Sequence, residues 1–393
     1  MLFTLEALKA KHGDALLLHY GSADDPRLIV IDGGPNGVYN QALRPRLEAL
    51  RKHRTPDDAL PIRLLMVSHI DDDHIRGVLD LTSKMAELQE DDKPAQWKIQ
   101  TLWHNSFDDV VGNHSDEMFR AASAEVGAAA FGDEIPPDLP IRHETALVLA
   151  SVPQGRTLRN DAKRLGIELN QPMGGLIVAP EQGKKVVKMG DGLTFTLLGP
   201  NVQRVRELQE DWDKVLEEKG LAQGAEAAAY LDESVYNLSS IVVLAELDGR
   251  TMLLTGDARG DDTLAGLEAA GILEPGGSMH VDILKLPHHG SDRNIDLDYF
   301  QRITADHYIA SGDGRHGNPE PETFRLLSEG RGNDEFTIHI TYPPEEFKKD
   351  FPIDELVAFF EKEKAAGKRY EVHFREAGEL SLHVDLGEEY DGK

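Results

Sequence analysis

The chain of 393 residues contains no cysteine, which excludes disulfides and thiolate ligands and leaves any metal to His and Asp/Glu. Its formal charge of −28, from 42 Lys and Arg against 70 Asp and Glu, argues against broad coating of nucleic acid, because a polyanion meets net repulsion at long range. With 40% hydrophobic residues, no apolar run near the roughly 20 that span a bilayer, and no basic-then-apolar leader at Met1–Glu6, it reads as a globular cytoplasmic protein that does not engage membranes.

Strands are expected at Leu2–Leu8, Ala15–Tyr20 and Leu28–Ile31, split by Lys11-His12-Gly13-Asp14 and a turn ending at Pro26. Asp32-Gly33-Gly34 ends the third. A helix over Tyr39–His53 carries Ala42, Leu43, Leu47 and Leu50 at helical spacing. The strand Ile62–Val67 then runs into Ser68-His69-Ile70-Asp71-Asp72-Asp73-His74, with Gly77 turning the chain into a helix over Val78–Leu88. After Glu90 the pattern changes. The strand Trp97–Trp103 ends at His104, and helices are expected at Asp116–Ala130, His143–Leu165 and Val202–Lys219. They read as insertions, at about 105–170 and 202–235, that could cover a site.

Strand alternation resumes with a hairpin of Ser239–Leu247 and Thr251–Thr255 across Asp248-Gly249-Arg250. Helix Asp262–Ala270, strand Val281–Leu286, helix Asp298–Ile303, strand His307–Ala310, helix Pro321–Ser328 and strand Phe336–Thr341 follow. A helix at Ile353–Ala366 and a hairpin of Tyr370–Phe374 with Leu380–Leu386 close the chain. The expectation is an α/β protein with a catalytic domain over 1–345 and a C-terminal helix-hairpin extension, 346–393, packed on it.

Two imidazoles and several carboxylates within His69–His74 form a dense set of metal donors. On an extended segment residues i and i+2 point the same way, so His69 and Asp71 can share one ion, while Asp73 and His74 at the turn serve another. Four more polar clusters sit at strand ends: Asp32-Gly33-Gly34, Thr255-Gly256-Asp257, Pro287-His288-His289-Gly290-Ser291, and Ser311 to Pro319. No Gly-x-Ser-x-Gly elbow occurs, and the lack of a phosphate-binding Gly-x4-Gly-Lys-Ser/Thr loop argues against ATP-driven work.

In that order the motifs resemble the metallo-β-lactamase superfamily. Together with His12-Gly13-Asp14-Ala15 and Asn237-Leu238-Ser239-Ser240, they resemble the catalytic domain of the ComEC family of DNA-uptake proteins and its soluble bacterial relatives. The likeness covers about Met1–Gly77 and Tyr236–Leu327. It implies an αββα sandwich holding one or two divalent ions, Mn or Zn. His69 and Asp71 would bind the first ion, Asp73 and His74 the second, and Asp257 would bridge them. His288 or His289 would supply the late imidazole, with His288 slightly favoured. Asp32 would orient a ligand from behind, and Asp73 would act as the base. The superfamily usually has His at Asp71, so this oxygen donor favours Mn or Fe over Zn. Its third His motif has no counterpart near Asn237, and the usual Gly-His-Pro loop reads Gly317-Asn318-Pro319.

The function expected first is therefore a nuclease-like phosphodiester hydrolase. Second comes a hydrolase of a small lactone, β-lactam, thioester or phosphoester, and third a metal-bearing component of a multi-protein assembly. Candidate substrate contacts are His104, Asn237, Ser239, Lys285, Arg315, His316 and Asn318, with Arg259 and Arg293 as further cations near the motif loops.

Overall fold

The computed structural model describes residues 1–105, 143–203, 205–206 and 240–392, with the backbone alone for 143–153. The helix expected at Asp116–Ala130, most of that expected at Val202–Lys219, and both Asn237 and Ser239 lie outside the described residues.

The chain is α/β, with two mixed sheets. One has the order β15 (Ser381–Asp385), β1 (Leu2–Leu8), β2 (Leu16–Ser22), β3 (Asp25–Ile31), β4 (Leu60–Met66), β5 (Trp97–Trp103), β6 (Glu168–Leu169). The other has the order β14 (Glu371–Phe374), β13 (Thr337–Ile340), β12 (Ile303–Ala310), β11 (Met279–Lys285), β10 (Arg250–Leu254), β9 (Val242–Leu247), β8 (Leu193–Gly199), β7 (Lys185–Gly190). Each sheet begins as an antiparallel meander and turns parallel, from β3 to β6 in the first and from β10 to β14 in the second. A parallel pair needs a crossover, and helices supply it. These are α1 (Arg44–Arg54), α2 (Asp72–Glu90), α3 (His143–Leu165), α4 (Gly260–Ala269), α5 (Leu297–Arg302), α6 (Pro321–Arg331) and α7 (Ile353–Ala365).

Burial follows the strand period. Phe3, Leu5 and Leu18 of the first sheet share one apolar layer with Phe195, Val243, Ile283 and Ile309 of the second. The opposite face of the first sheet packs Val30 and Leu65 against Leu47 of α1 and Val78 of α2. The opposite face of the second packs Leu284 and Tyr308 against Leu267, Phe300, Phe324 and Leu356 of the remaining helices.

Two expectations are corrected here, and one element had not been expected. The last two strands form no hairpin: β14 adds to β13 in parallel and β15 pairs with β1 antiparallel, so each completes a different sheet. The connection is pinned by Arg375, whose buried guanidinium donates to the carbonyls of Thr341, Glu376 and Glu379. The β7–β8 hairpin was not expected, although its Asp191-Gly192 turn, with φ of 49° and 86°, flanked by alternating Val187, Met189, Leu193 and Phe195, is a strong hairpin signal. Finally, α2 begins at Asp72 rather than Val78, so Asp73 and His74 belong to its first turn. The hairpin at Asp248-Gly249 forms as expected.

Candidate metal centre

The polar clusters meet where parallel strands of both sheets end, the usual crevice of α/β sheets. Asp32 follows β3, Ser68 and His69 follow β4, Asp257 follows β10, and His288 and His289 follow β11. Close backbone contact brings α2 onto the Asp32 turn. A Cβ on Gly77 would lie 2.0 Å from the Gly33 carbonyl oxygen, and one on Gly33 would lie 2.4 Å from the Val78 nitrogen. Only paired glycines allow this approach.

Asp32 is buried and accepts three bonds: Ser68 N–H at 2.7 Å, Ser68 Oγ–H at 2.7 Å and His74 Nδ1–H at 2.9 Å. A carboxylate only accepts, so the His74 proton sits on Nδ1 and Nε2 presents a lone pair. Ser68 Oγ, having given its proton to Asp32, accepts from His69 Nδ1 at 3.1 Å, which leaves His69 Nε2 bare as well. His289 Nδ1 faces Ser311 Oγ at 3.1 Å and Asp14 Oδ1 at 3.4 Å, freeing its Nε2 in the same way.

Those lone pairs converge. His74 Nε2 lies 3.3 Å from His289 Nε2 and 3.2 Å from Asp257 Oδ1. Asp257 Oδ2 lies 3.6 Å from each of His69, His288 and His289, while Asp73 Oδ2 is 3.4 Å from His289. Asp71 Oδ2 is 3.5 Å from His69 Nε2. Two donors bound ~2.0–2.2 Å from one ion lie about 3.0–3.5 Å apart, close to these spacings. His69 Nε2, Asp71 Oδ1 and Asp257 Oδ1 are also buried with no hydrogen-bond partner. Asp71 occupies the N-cap position of α2, where an aspartate usually bonds the first-turn N–H groups, yet its side chain makes no capping bond. It turns to His69 instead.

Bare imidazoles packed against carboxylates demand positive charge. Burial alone would depress His74, but Asp257, Asp32 and Asp73 hold it well above its ordinary range. Burial likewise opposes His289, which Asp257 and Asp14 push up to about 9. Burial would raise Asp257, yet the four imidazoles around it hold it well below the usual carboxylate range. The donor set therefore fits a cation. Asp14, His74, Asp257 and His289 form one group able to hold a metal ion, and His69, Asp73 and His74 form another.

All seven expected ligands lie in this cluster. His289 sits inside the four-donor group, whereas the slightly favoured His288 is at its edge, 30% exposed and tied through Nδ1 to Asn294 at 2.9 Å. Asp14 was missed: its carboxylate stands 3.4 Å from His289 Nδ1 and belongs to the four-residue group. It precedes β2 rather than following a strand, although His12-Gly13-Asp14 had marked the segment. Lys285 is corrected: it is 1% exposed, bound to Asp14 at 2.8 Å and to the Leu286 carbonyl, so it cannot reach a substrate. Asn318 is also turned inward, donating to the His288 carbonyl at 3.3 Å. His104 is buried at the end of β5, its N–H held by Asn170. Arg259 is committed to Asp261, and Arg293 is exposed. Arg315 and His316 are exposed on the turn 315–317.

No known family profile matches the chain. Human microtubule-associated protein 1A is 33% identical over 70 residues, covering 18% of this chain and 2% of that protein. The rat protein is 31% identical over 110 residues, covering 27% and 4%. The chain thus spans a very small part of these relatives. Among solved structures, a point mutant of the β-hydroxylase CmlA aligns with 97% of this chain and 54% of its own, at 10% identity and a TM-score of 0.36. A putative metal-dependent hydrolase from Parabacteroides distasonis aligns over 94% of this chain and 92% of its own, at 10% identity and a TM-score of 0.31. These likenesses assign no family. No helix among the described residues is long and apolar enough to cross a membrane.

Proposed function

We propose that the chain is a metal-dependent hydrolase of the metallo-β-lactamase type, acting on phosphodiesters. One observation carries the reading: the Nε2 atoms of His69, His74 and His289 and carboxylates from both sheets converge on one spot, each imidazole fixed through Nδ1 by an outer partner. Divalent metal, when bound, supplies Lewis acidity and lowers the pKa of water. His69, Asp71 and Asp257 would hold one ion, and Asp73, His74, His289 and Asp257 a second. Asp32 and Asp14 keep His74 and His289 in the metal-binding tautomer. Burial would raise Asp73, but His74 and His289 hold it well below the usual carboxylate range, which keeps it ionised as a ligand and makes it a weaker base than the sequence suggested. The oxygen donor at Asp71 supports a hard ion such as Mn²⁺ and phosphate chemistry.

The test is turnover by the full chain loaded with Mn²⁺. A bis-aryl phosphodiester, or single- or double-stranded DNA, should be cleaved, and His69→Ala and Asp257→Ala should abolish cleavage. Turnover of an aryl lactone with no diester cleaved would move the assignment to small-molecule hydrolysis. Metal bound with no turnover of either would point to an interaction role.

A further inference from the structure

We propose that Lys11, Arg315 and Lys348, with the imidazoles of His12 and His316, form an anion subsite beside the metal centre that holds a second, unreacting phosphate of the substrate. The inference rests on the phosphodiester reading above and narrows its substrate class. In a chain of net charge −28, cations should find carboxylates readily. These do so poorly. Lys11 Nζ donates to the Asn36 carbonyl at 2.6 Å rather than to an acid. The exposed Arg315 guanidinium makes no hydrogen bond or ion pair among the described residues, and only its backbone N–H reaches Asp313, at 3.1 Å. Lys348 meets Asp313 Oδ2 at 3.3 Å, so among the described residues one of the three cations has a carboxylate partner. Lys11 is pushed below its ordinary value, first by burial and then by Arg315 and Lys348. Crowded like charge destabilises the fold, and an incoming anion would relieve it.

The cluster is anchored to the reaction centre. A Cβ on Gly13 would meet the Asp73 carbonyl oxygen at 1.9 Å, and Asp14 N–H donates to that same oxygen at 3.3 Å. The loop carrying Lys11 and His12 therefore lies directly on the backbone of Asp73. Across from it, His316 takes φ of 61°, a left-handed conformation unusual for histidine, and sets its ring 5.2 Å from His12, edge to face. His12 Nδ1 is buried without a hydrogen-bond partner. Three cations and two imidazoles offer the donors that phosphate oxygens accept. A diester carrying a neighbouring phosphate would place one group on the metal ions and the other here.

The experiment compares kcat/KM for a thymidine dinucleotide with and without a terminal phosphate, using the full chain loaded with Mn²⁺. The extra phosphate should raise kcat/KM by about tenfold, the scale of a charge-assisted contact at a water-accessible site. Lys11→Met and Arg315→Met should each bring that ratio to within about twofold of unity, and Lys348→Arg should retain it. A ratio near unity in the parent chain, or one unchanged by both methionine variants, overturns the subsite. If no diester is cleaved, the hydrolase reading fails separately, and calorimetric titration of pyrophosphate into the same loaded proteins decides the subsite. Binding about tenfold weaker in both variants supports it, and equal binding overturns it.

Discussion

Asp32→Asn is the substitution whose outcome the geometry specifies most closely. The side chain keeps its size, and its oxygen can still accept from Ser68 N–H, now at 2.7 Å. The amide NH₂ then stands where Oδ2 receives Ser68 Oγ–H at 2.7 Å and His74 Nδ1–H at 2.9 Å. Donor would face donor. The imidazole relieves this by moving its proton to Nε2, which removes the lone pair that lies 3.2 Å from Asp257 and 3.3 Å from His289. Flipping the amide only transfers the conflict to Ser68 N–H. Loss of an outer partner of this kind costs about 10- to 100-fold in metal affinity, or about 1.4–2.7 kcal/mol. A similar ~1.5–3 kcal/mol should leave global stability, because a bond to a buried charged acceptor is lost. Chelator competition with Mn²⁺ measures the first and urea unfolding of the metal-free chain the second. A folded Asp32→Asn protein with parental metal affinity would refute the tautomer argument.

Gly77→Ala places a methyl 2.0 Å from the Gly33 carbonyl oxygen, a backbone atom that cannot swing aside. Stability should fall by about 3 kcal/mol or more, and an unchanged melting temperature would mean that α2 does not rest on the Asp32 turn. Asp71→Ala separates capping from ligation: with no cap bond to lose, stability should stay within ~0.5 kcal/mol instead of dropping by the usual ~1, while metal affinity falls more than about tenfold. Part of the acid sensitivity should come from His19, whose Nδ1 accepts from Arg54 at 3.0 Å while Nε2–H donates to Glu6 at 2.8 Å, a neutral ring. Burial lowers it to about 4 against the pull of Glu6. The unfolded ring protonates near 6.5, so this stability is complete above that value and is lost as pH falls toward 4. Burial would raise Glu6, but His19 and Arg46 hold it at about 2, which extends the loss below its free value of 4.5. His19 should contribute about 2.5 kcal/mol to the fall in unfolding free energy between pH 7 and 4.5, read as the difference between the profiles of the parent chain and His19→Gln; parallel profiles for the two proteins would disprove the neutral ring.

Much of the candidate site was legible because its polar residues directly follow apolar strands, so His69, Asp257 and the His288-His289 pair could be named without knowing the fold. What was not legible depends on which way a side chain turns once the sheets pack. Lys285 reads as a basic residue beside a motif loop, but its position in β11 sends it inward to Asp14, a residue from the other sheet. His288 and His289 are sequence neighbours, both at positive φ, and only contacts with Asn294 and Ser311 separate their roles. Asp14 stands before its strand, where the strand-end rule does not look. The C-terminal pair of strands alternates as a hairpin would, and nothing local in Tyr370–Phe374 or Leu380–Leu386 reveals that each belongs to a different sheet. The β7–β8 hairpin differs from these, since its turn carried the signal and the strands were legible all along.

The apolar layer between the sheets has a consequence for the metal centre. His69, Asp71, Asp73 and His74 ride on one sheet, and Asp257, His288 and His289 on the other, so the gap across the cluster is set by how thickly Phe3, Leu18, Phe195 and Ile283 stack beneath it. Protein interiors are close-packed and compress little. The layer thus acts as a spacer gauge: shaving a buried ring such as Phe195, outside the metal cluster, would alter the bite offered to the ions without touching a ligand.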